Sequence, residues 1–249
     1  MEEPRPEVGV LGFGRFGQMV VRELEPHTVV VVHDPVHPGS FPVRNVSLEQ
    51  AAAARVVLLA VPIRELPDVL RSLVAHLQPG TLVLDVASVK TYPLAWMEEI
   101  LPPEVDFVGT HPLFGPDSAK TGLSGHRIVL VPGRIAPLRL ERMHRFLHRL
   151  GLRTVSTTAE THDRSMARTQ ALTHWLGRAL EAFGAGTESI DTHGYRLLLQ
   201  VATWSSRDRR ELFEDMHRFN PYAREVRDRF RAALESLDRD LTAPAQDTM

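Results

Sequence analysis

The chain has 249 residues and contains no cysteine. This excludes disulfides, thiol nucleophiles and cysteine metal ligands, and it fits a reducing, cytoplasmic compartment. Basic residues are not in excess, because 29 Lys and Arg stand against 31 Asp and Glu, so a nucleic-acid partner is not expected. The longest apolar runs, such as residues 55–62, fall far short of the roughly 20 residues that a membrane span requires. The acidic, proline-interrupted N-terminus does not resemble a signal peptide.

Lysine is almost absent as well. Of the 29 basic residues, only Lys90 and Lys120 are lysines. A codon bias toward arginine explains the scarcity, and under such a bias a retained lysine marks a place where a compact ammonium is preferred to a planar guanidinium. Both lysines fall in segments that carry candidate chemistry, residues 85–90 and 108–120.

The first part of the chain alternates short β-branched runs with helical patterns. Strands are predicted at 8–12, 28–33, 55–61, 81–86, 105–110, 127–131 and 152–157. Helices are predicted at 15–25, 63–77, 91–100 and 136–150. Near-continuous apolar strands separated by helices indicate an α/β fold, a Rossmann-like, doubly wound, mostly parallel sheet covered on both faces.

After residue 158 the pattern contains no strand-like run. Three helical segments are predicted there, at roughly 159–184, 187–206 and 208–240. We therefore expect a dinucleotide-binding domain over 1–157, a smaller all-α domain over 158–241 and a flexible tail over 242–249.

A glycine-rich stretch follows the first predicted strand. Gly12, Gly14 and Gly17 have the spacing G-x-G-x-x-G and open a helix, and the next strand ends at Asp34. In this context the first glycine permits a tight turn, the second lets backbone approach a pyrophosphate, and the third lets helix and strand pack closely. The helix N-terminus then offers amide donors to the phosphates.

Asp34 bears on which nicotinamide cofactor is used. A carboxylate at this position accepts hydrogen bonds from the ribose hydroxyls and repels a 2′-phosphate, so NAD is favoured over NADP. His33, His37 and Arg44 lie nearby in sequence and complicate that choice. Arg15, inside the fingerprint, either lies along the pyrophosphate or faces solvent.

Two further segments follow neighbouring strands of the predicted sheet. Ser88 and Lys90 come after one strand, and His111 comes after the next, followed by a stiff loop rich in proline and glycine. Ligands of open parallel sheets bind beyond the carboxyl ends of the strands. Because imidazole accepts a proton near neutral pH, His111 is the candidate base of a dehydrogenase. Ser88 orients it or binds substrate, and Lys90 binds an oxygen or caps the next helix.

The first helix of the all-α domain carries one stripe of residues at spacings of four, and most of them are polar. They are His162, Met166, Gln170 and His174. Such a stripe either lines a polar site or simply faces water. His144 and His148 share the same spacing without a third ligand, so we interpret them as a solvated face and predict no metal site.

Six motifs occur in order and give the chain a specific resemblance. They are LGFGRFG, LLAVPI, DVASVK, THPLFGPDSA, HDRSMARTQALTH and FNPYA. Together they resemble the prephenate/arogenate dehydrogenase family of tyrosine biosynthesis, over about residues 7 to 238. The resemblance implies oxidative decarboxylation of a ring substrate with NAD.

The resemblance also implies roles for individual residues. His111 matches the catalytic histidine that bonds the ring hydroxyl, and Ser88 matches the serine beside it. Gln170 and His174 match the helix that closes the substrate pocket. Arg196 is the best match for the carboxylate-binding arginine, which a dicarboxylate substrate requires. Arg207, Arg209 and Arg210 are the alternatives for that role.

The remaining candidate contacts lie near the same segments. Lys120 and Lys90 are candidate substrate contacts. The cofactor set consists of the fingerprint and the end of the third strand: Gly12, Phe13, Gly14, Arg15, Phe16, Gly17, Asp34, Val61 and Pro62.

Several alternatives stay open at this point. Prephenate is favoured over arogenate because Arg196 and Lys120 make the site cationic, whereas Asp117 or Asp163 would suit the ammonium of arogenate. A β-hydroxyacid dehydrogenase or imine reductase shares the domain plan but relies on a helical lysine, and no lysine follows Lys120. A binding protein that senses NAD would not need His111.

Family members dimerise through the helical domain, so a homodimer is implied. Apolar side chains of that domain either form the interface or fill its own core: Trp175, Leu176, Trp204 and Phe213.

Overall fold

A computed structural model of the chain describes residues 7–36 and 43–242. The chain divides into two compact units, with the division between His162 and Asp163. Residues 37–42, which include His37 of the proline-rich loop, lie outside the described residues, as do residues 243–249 of the predicted tail.

The first unit is built on one seven-stranded sheet. Its strands are β1 (Val8–Leu11), β2 (Val30–His33), β3 (Val56–Leu59), β4 (Leu82–Asp85), β5 (Asp106–Pro112), β6 (Arg127–Pro132) and β7 (Arg153–Ser156). The strands lie in the order β2-β1-β3-β4-β5-β6-β7. β5 and β6 pair antiparallel and the other neighbours pair parallel. The predicted α/β fold with a mostly parallel sheet is confirmed.

Strand burial explains why this sheet forms. Every residue of β1 and β4 is buried, as expected for strands covered on both faces. Val10, Val32 and Val108 lie in this core with no exposed surface. Burying each such side chain contributes about 1.5–3 kcal/mol relative to leaving it in water.

Six helices begin within the first unit. They are α1 (Arg15–Leu24), α2 (Leu48–Ala52), α3 (Leu66–Val74), α4 (Thr91–Ile100), α5 (Pro137–Arg149) and α6 (Ala159–Met166), the last of which crosses the division. α2 was not predicted from the sequence pattern. Its signal is a capping box, in which Ser47 Oγ accepts from Gln50 N and Gln50 Oε1 accepts from Ser47 N.

The second unit is helical, as predicted, but its elements are shorter than the sequence pattern suggested. Its helices are α7 (Leu172–Phe183), α8 (His193–Arg207), α9 (Arg210–Arg218) and α10 (Ala223–Thr242). A π-helical turn, Ala167–Ala171, separates α6 from α7.

The single helix predicted over 208–240 is wrong, because Asn220 and Pro221 divide it. The Asn220 side chain donates to the carbonyl of Asp163 at 2.8 Å and accepts from the amide of Tyr222 at 3.0 Å. Proline cannot donate to a helix ladder and disfavours helical geometry at the residue before it. The side chain of Asn220 therefore takes over backbone bonding where the helix ends.

A tight glycine contact holds α7 against α8. A Cβ on Gly177 would lie 2.3 Å from Ser205 Oγ and 2.9 Å from the carbonyl oxygen of Val201. Only a residue without a side chain therefore lets the two helices approach this closely. None of the described helices is long and apolar enough to cross a membrane.

Candidate active site

The two chemical segments lie on neighbouring strands, as the sequence predicts. β4 and β5 pair in parallel, with Asp85 opposite Gly109. His111, however, lies within β5 and not after it, because β5 continues to Pro112. The extension is held by β6, where His111 pairs with Val129 and Pro112 with Ile128. The backbone of His111 is thus held by its pairing with β6, whereas the pairing of β5 with β4 ends at Gly109.

A buried ion pair lies between these two strands. Lys90 Nζ donates to Asp85 Oδ2 and, at 2.7 Å, to the carbonyl of Thr110. Neither charged side chain has any exposed surface. Asp85 also accepts from the amides of Ala87 and Thr110, and the Thr110 hydroxyl donates to the Asp85 carbonyl. Burial raises the pKa of the Asp85 carboxyl, and the ammonium of Lys90 opposes that effect.

This position corrects the interpretation of Lys90 as a substrate contact or a helix cap. Its ammonium is fully buried and donates to groups inside the sheet. Lys90 does precede α4, but its side chain makes no capping bond there. We therefore assign it to the support of the strand ends, where it fixes the segment from Asp85 to Lys90 against β5.

His111 contacts a residue to which the sequence analysis gave no separate role. His111 Nδ1 lies 2.9 Å from His162 Nε2, and the two rings meet edge to face. Both residues are buried, at 4% and 3% exposure. Burial lowers the pKa of His111 well below its usual value, and the positive charges that His162 and Lys90 can carry lower it further. At neutral pH the His111 ring is therefore uncharged and able to accept a proton.

Ser88 lies in the same region with an unusual environment. It is buried, and within residues 7–36 and 43–242 its Oγ finds no hydrogen-bond partner. A buried hydroxyl without a hydrogen-bond partner costs free energy unless a ligand or a water molecule bonds to it. Ser88 is therefore suited to bond a bound molecule.

The glycine fingerprint fits a dinucleotide. Gly12 has φ +95°, and a Cβ there would lie 2.5 Å from the carbonyl oxygen of Ala60. A Cβ on Gly17 would lie 2.2 Å from the Gly12 oxygen, which is the close packing of helix and strand. A Cβ on Gly14 meets nothing of the described protein within 4 Å. The fold itself therefore requires Gly12 and Gly17, whereas Gly14 leaves open the side where a pyrophosphate would approach.

Asp34 lies directly behind this turn. Its carboxylate accepts from the amide of Phe13 at 2.6 Å and from that of Val36 at 2.8 Å. Asp34 is thereby held at the end of β2, where a ribose would lie. His33 contacts the carbonyl of Val46 through Nδ1.

The other predicted cofactor residues contribute through their backbone or their packing. Phe13 is buried in the core and Phe16 packs against it, so these side chains support the turn. Val61 and Pro62 follow β3, and Val61 lines the tight turn at Gly12.

Arg15 faces solvent and makes an ion pair. Its Nη2 donates to Asp117 Oδ2 at 2.8 Å, and Lys120 Nζ lies 3.5 Å from the other oxygen of Asp117. The Lys120 side chain is 70% exposed. These contacts tie the loop after β5 to the first turn of α1.

The helical unit holds the other predicted substrate residues. Gln170 lies on the π-helical turn, and π-turns are frequent at functional sites. In the described part of the chain, Gln170 Oε1 and His174 Nδ1 are buried without hydrogen-bond partners. Burial lowers the pKa of His174, while Asp208, whose carboxylate is 3.8 Å away, acts in the opposite direction.

Arg196 has a different environment from the one its predicted role suggests. Its side chain is 57% exposed and bonds Asp191 at 2.7 Å in the same unit. The guanidinium already holds a carboxylate, so nothing in its surroundings supports the carboxylate-binding assignment.

The histidine pair on α5 packs onto the sheet. His144 Nδ1 and His148 Nε2 both contact Thr154 Oγ1 of β7, at 2.8 and 2.9 Å. Their bonding is thus structural, and they are not simply a solvated face.

The strand order and the fingerprint between β1 and α1 define a Rossmann-like oxidoreductase with a dinucleotide site at the strand ends. The family described as prephenate dehydrogenase, nucleotide-binding domain, matches residues 40–156. Arogenate dehydrogenase 2, chloroplastic, of Arabidopsis thaliana is 35% identical over 94% of this chain and 70% of its own length. The chain belongs to the prephenate/arogenate dehydrogenase family, and the predicted class of enzyme is confirmed.

Two other similarities extend this result. Arogenate dehydrogenase 1, chloroplastic, of the same plant is 33% identical over 95% of this chain, which spans only 39% of that relative. The crystal structure of A. aeolicus prephenate dehydrogenase with hydroxyphenyl propionate and NAD+ has a TM-score of 0.74 at 20% identity, covering 96% of this chain and 91% of that one, and so shows the same fold. A family described as TYRAAT1-like, C-terminal domain, matches residues 179–249.

Proposed function

We propose that this protein is an NAD-dependent dehydrogenase that oxidises and decarboxylates arogenate or prephenate. The observation that carries the proposal is that the uncharged, buried His111 lies on β5, while the buried Ser88, whose hydroxyl has no partner in the described residues, follows the neighbouring strand β4. A ring hydroxyl between them would donate to His111 and accept from Ser88. Family membership supports the same chemistry.

The cofactor site consists of residues whose environment suits NAD. The α1 amides and the open side of Gly14 would receive the pyrophosphate, and Asp34 would accept from the ribose hydroxyls. The bound nicotinamide supplies the hydride acceptor. The buried Asp34 carboxylate would repel a 2′-phosphate, which supports NAD over NADP.

His111 handles the proton of the reaction. Because Nδ1 contacts His162, Nε2 is the atom that would accept the hydroxyl proton as the C–H bond at the ring carbinol breaks. The electrons of the bond to the ring carboxylate then move into the ring, releasing carbon dioxide and leaving an aromatic product. The protein therefore positions the substrate and removes one proton.

Arogenate is the substrate that we favour over prephenate. The two plant relatives are named arogenate dehydrogenases. The argument for prephenate depended on Arg196 and Lys120, and both cations already pair with carboxylates of their own units. Asp117 is engaged by Arg15 and Lys120, so it is a poor candidate for the ammonium of arogenate. Gln170 and His174 remain candidate substrate contacts because each has a buried polar atom that needs a partner.

We also propose that the protein is a homodimer formed through its helical unit. Three large apolar residues on α8 are 47–59% exposed: Leu197, Leu198 and Trp204. Trp175, by contrast, packs against Phe230 and is half-buried, so it contributes to the unit's own core. Sedimentation at several concentrations tests the assembly. A cytoplasmic location stays a prediction.

Initial rates test the function directly. The purified protein is assayed with arogenate and with prephenate, each with NAD and with NADP, following the absorbance of reduced nicotinamide. We expect the highest kcat/KM with arogenate and NAD. Binding of NAD without turnover of either substrate would contradict the proposed reaction.

A further inference from the structure

The strongest feature that the proposed reaction leaves unused is His162. Its Nε2 lies 2.9 Å from His111 Nδ1, and His162 lies on a different element, the helix α6. Catalytic histidines usually have their second nitrogen bonded to a carboxylate or a backbone carbonyl. Here the partner is another imidazole, which is able to donate or accept, so the direction of the hydrogen bond must be determined.

The number of hydrogens on the two rings, together with the role of His111 as a base, determines the direction of that hydrogen bond. Two neutral imidazoles in contact share one hydrogen between Nδ1 of His111 and Nε2 of His162. If His162 donates, His111 carries its own hydrogen on Nε2 and cannot act as a base. If His111 donates, its Nε2 lone pair is available and His162 carries its hydrogen on Nδ1. Only the second arrangement is compatible with proton uptake from substrate.

The surrounding charges favour an uncharged His111 ring. The ammonium of Lys90 approaches His111 from the segment after β4, and the carboxylate of Asp85 partly neutralises that ammonium. His162 approaches from α6, and Thr110 next to His111 uses its carbonyl to accept from Lys90. Adding one proton to the pair, on either ring, leaves His111 Nε2 protonated. The pair is therefore competent as a base only while both rings are neutral.

We propose that His162 is a positioning residue that accepts the hydrogen bond from His111 Nδ1 and so keeps His111 in the tautomer with an unprotonated Nε2. The catalytic consequence of this tautomer rests on the proposed function. The direction of the hydrogen bond is inferred on the same ground, but the tautomer is a property of the protein without substrate and is measured independently of turnover.

The decisive measurement is therefore spectroscopic. The full-length protein is labelled with ¹⁵N-histidine, and long-range ¹H–¹⁵N correlations at pH 7.5 report which nitrogen of each ring carries hydrogen. The signals are assigned with His111→Gln and His162→Gln. We expect hydrogen on Nδ1 and none on Nε2 for both rings, and the His111 signals should move toward the other tautomer in His162→Leu. Hydrogen on His111 Nε2 in the parent protein would overturn the proposal, whatever the enzyme turns over.

Kinetics then test the consequence. Residues that orient metal-ligating histidines typically contribute about 10–100-fold, and we expect a drop in kcat of similar size for His162→Leu, with the KM for NAD unchanged. Glutamine places an oxygen acceptor near the position of Nε2, so His162→Gln should restore most of kcat. It should also change the acid limb of the pH profile, because the charge that His162 can place beside His111 is removed.

A matched control separates this role from folding. His144→Gln changes another histidine of the first unit that bonds through Nδ1, and it should move neither the spectra of His111 nor kcat. Equal losses of kcat in His162→Gln and His162→Leu, with an unchanged pH profile, would mean that His162 only fills space. An inactive parent with the expected tautomers would instead contradict the proposed function alone.

Discussion

His111 pairs with Val129 of β6, the strand that runs antiparallel to β5. An antiparallel neighbour brings the N-terminal half of β6 alongside the carboxyl end of β5, where a parallel strand would already have turned into a loop. The candidate base therefore lies on a supported strand and not on a free loop.

Replacing His111 should abolish turnover and spare cofactor binding. A positioned general base contributes roughly 10²–10⁴-fold, so we expect kcat of His111→Gln to fall by that factor. The dissociation constant for NAD, measured by fluorescence quenching, should stay unchanged because β3 and β4 separate β5, which carries His111, from β1, which leads into the fingerprint. Turnover close to that of the parent would remove His111 from the mechanism.

The fingerprint glycines offer a matched pair of substitutions. Gly17→Ala places a Cβ against the backbone oxygen of Gly12, so the free energy of unfolding should fall by about 1–3 kcal/mol. The Cβ of Gly14→Ala would meet no atom of the described protein within 4 Å, so the free energy of unfolding should fall by less than about 1 kcal/mol. The same substitution should weaken NAD binding. Urea denaturation and NAD titration measure the two effects. Equal effects of both variants on NAD binding, with equal stability, would show that the two glycines do not differ in role.

Asp34 should control the choice of cofactor. Asp34→Ala removes both the repulsion of a 2′-phosphate and the acceptor for the ribose, so the ratio of kcat/KM for NAD over NADP should decrease. Asp34→Asn keeps an oxygen that accepts from the Phe13 amide, and it separates this electrostatic effect from a collapse of the turn. A ratio unchanged in both variants would place the ribose elsewhere.

Removing only one partner of the buried ion pair between Lys90 and Asp85 should greatly lower the free energy of unfolding. Lys90→Met leaves the Asp85 carboxylate buried without its cation, which typically costs about 3–5 kcal/mol of stability. The double variant Asp85→Leu, Lys90→Met removes both charges and should recover part of that loss. Urea unfolding of the parent, of Lys90→Met, of Asp85→Leu and of the double variant measures the coupling, and strictly additive changes would show that the two charges do not stabilise one another.

Acid should destabilise the fold partly through His217. Burial, together with Arg227 and His174, lowers the pKa of His217 to about 4. An unfolded histidine titrates near 6.5, so between about pH 6.5 and 4 the unfolded chain binds more protons and stability decreases as the pH falls. His217→Gln lacks this contribution and should lose less stability over the same window. Urea midpoints of the parent and of His217→Gln, determined at pH 7, 5.5 and 4.5, measure this difference. An identical decrease of stability with falling pH in both proteins would contradict the role of His217.

The sequence predicts the sheet and the site segments well because both depend on local patterns. Apolar runs define the strands, and glycine spacing defines the turn before α1. His162 was missed as the partner of His111 because a contact between residues 51 positions apart leaves no local signal. The break at Asn220 was missed because amphipathic periodicity continues on both sides of it, although the proline that follows was a visible warning.

The expectation that each retained lysine marks a place suited to a compact ammonium agrees with the surroundings of Lys90 but not with those of Lys120. Lys90 lies where a compact ammonium with no exposed surface reaches a carboxylate and a carbonyl inside the sheet. Lys120 is exposed and near Asp117, and the structure shows no reason why arginine should not replace it.

The buried pair of Asp85 and Lys90 also limits how the chain can evolve. A single substitution at either position passes through a protein with an uncompensated charge inside its sheet, which selection on folding would remove. The two positions are therefore expected to drift as a unit, changing together or remaining together, while the exposed ion pairs of the helical unit are free to change one residue at a time.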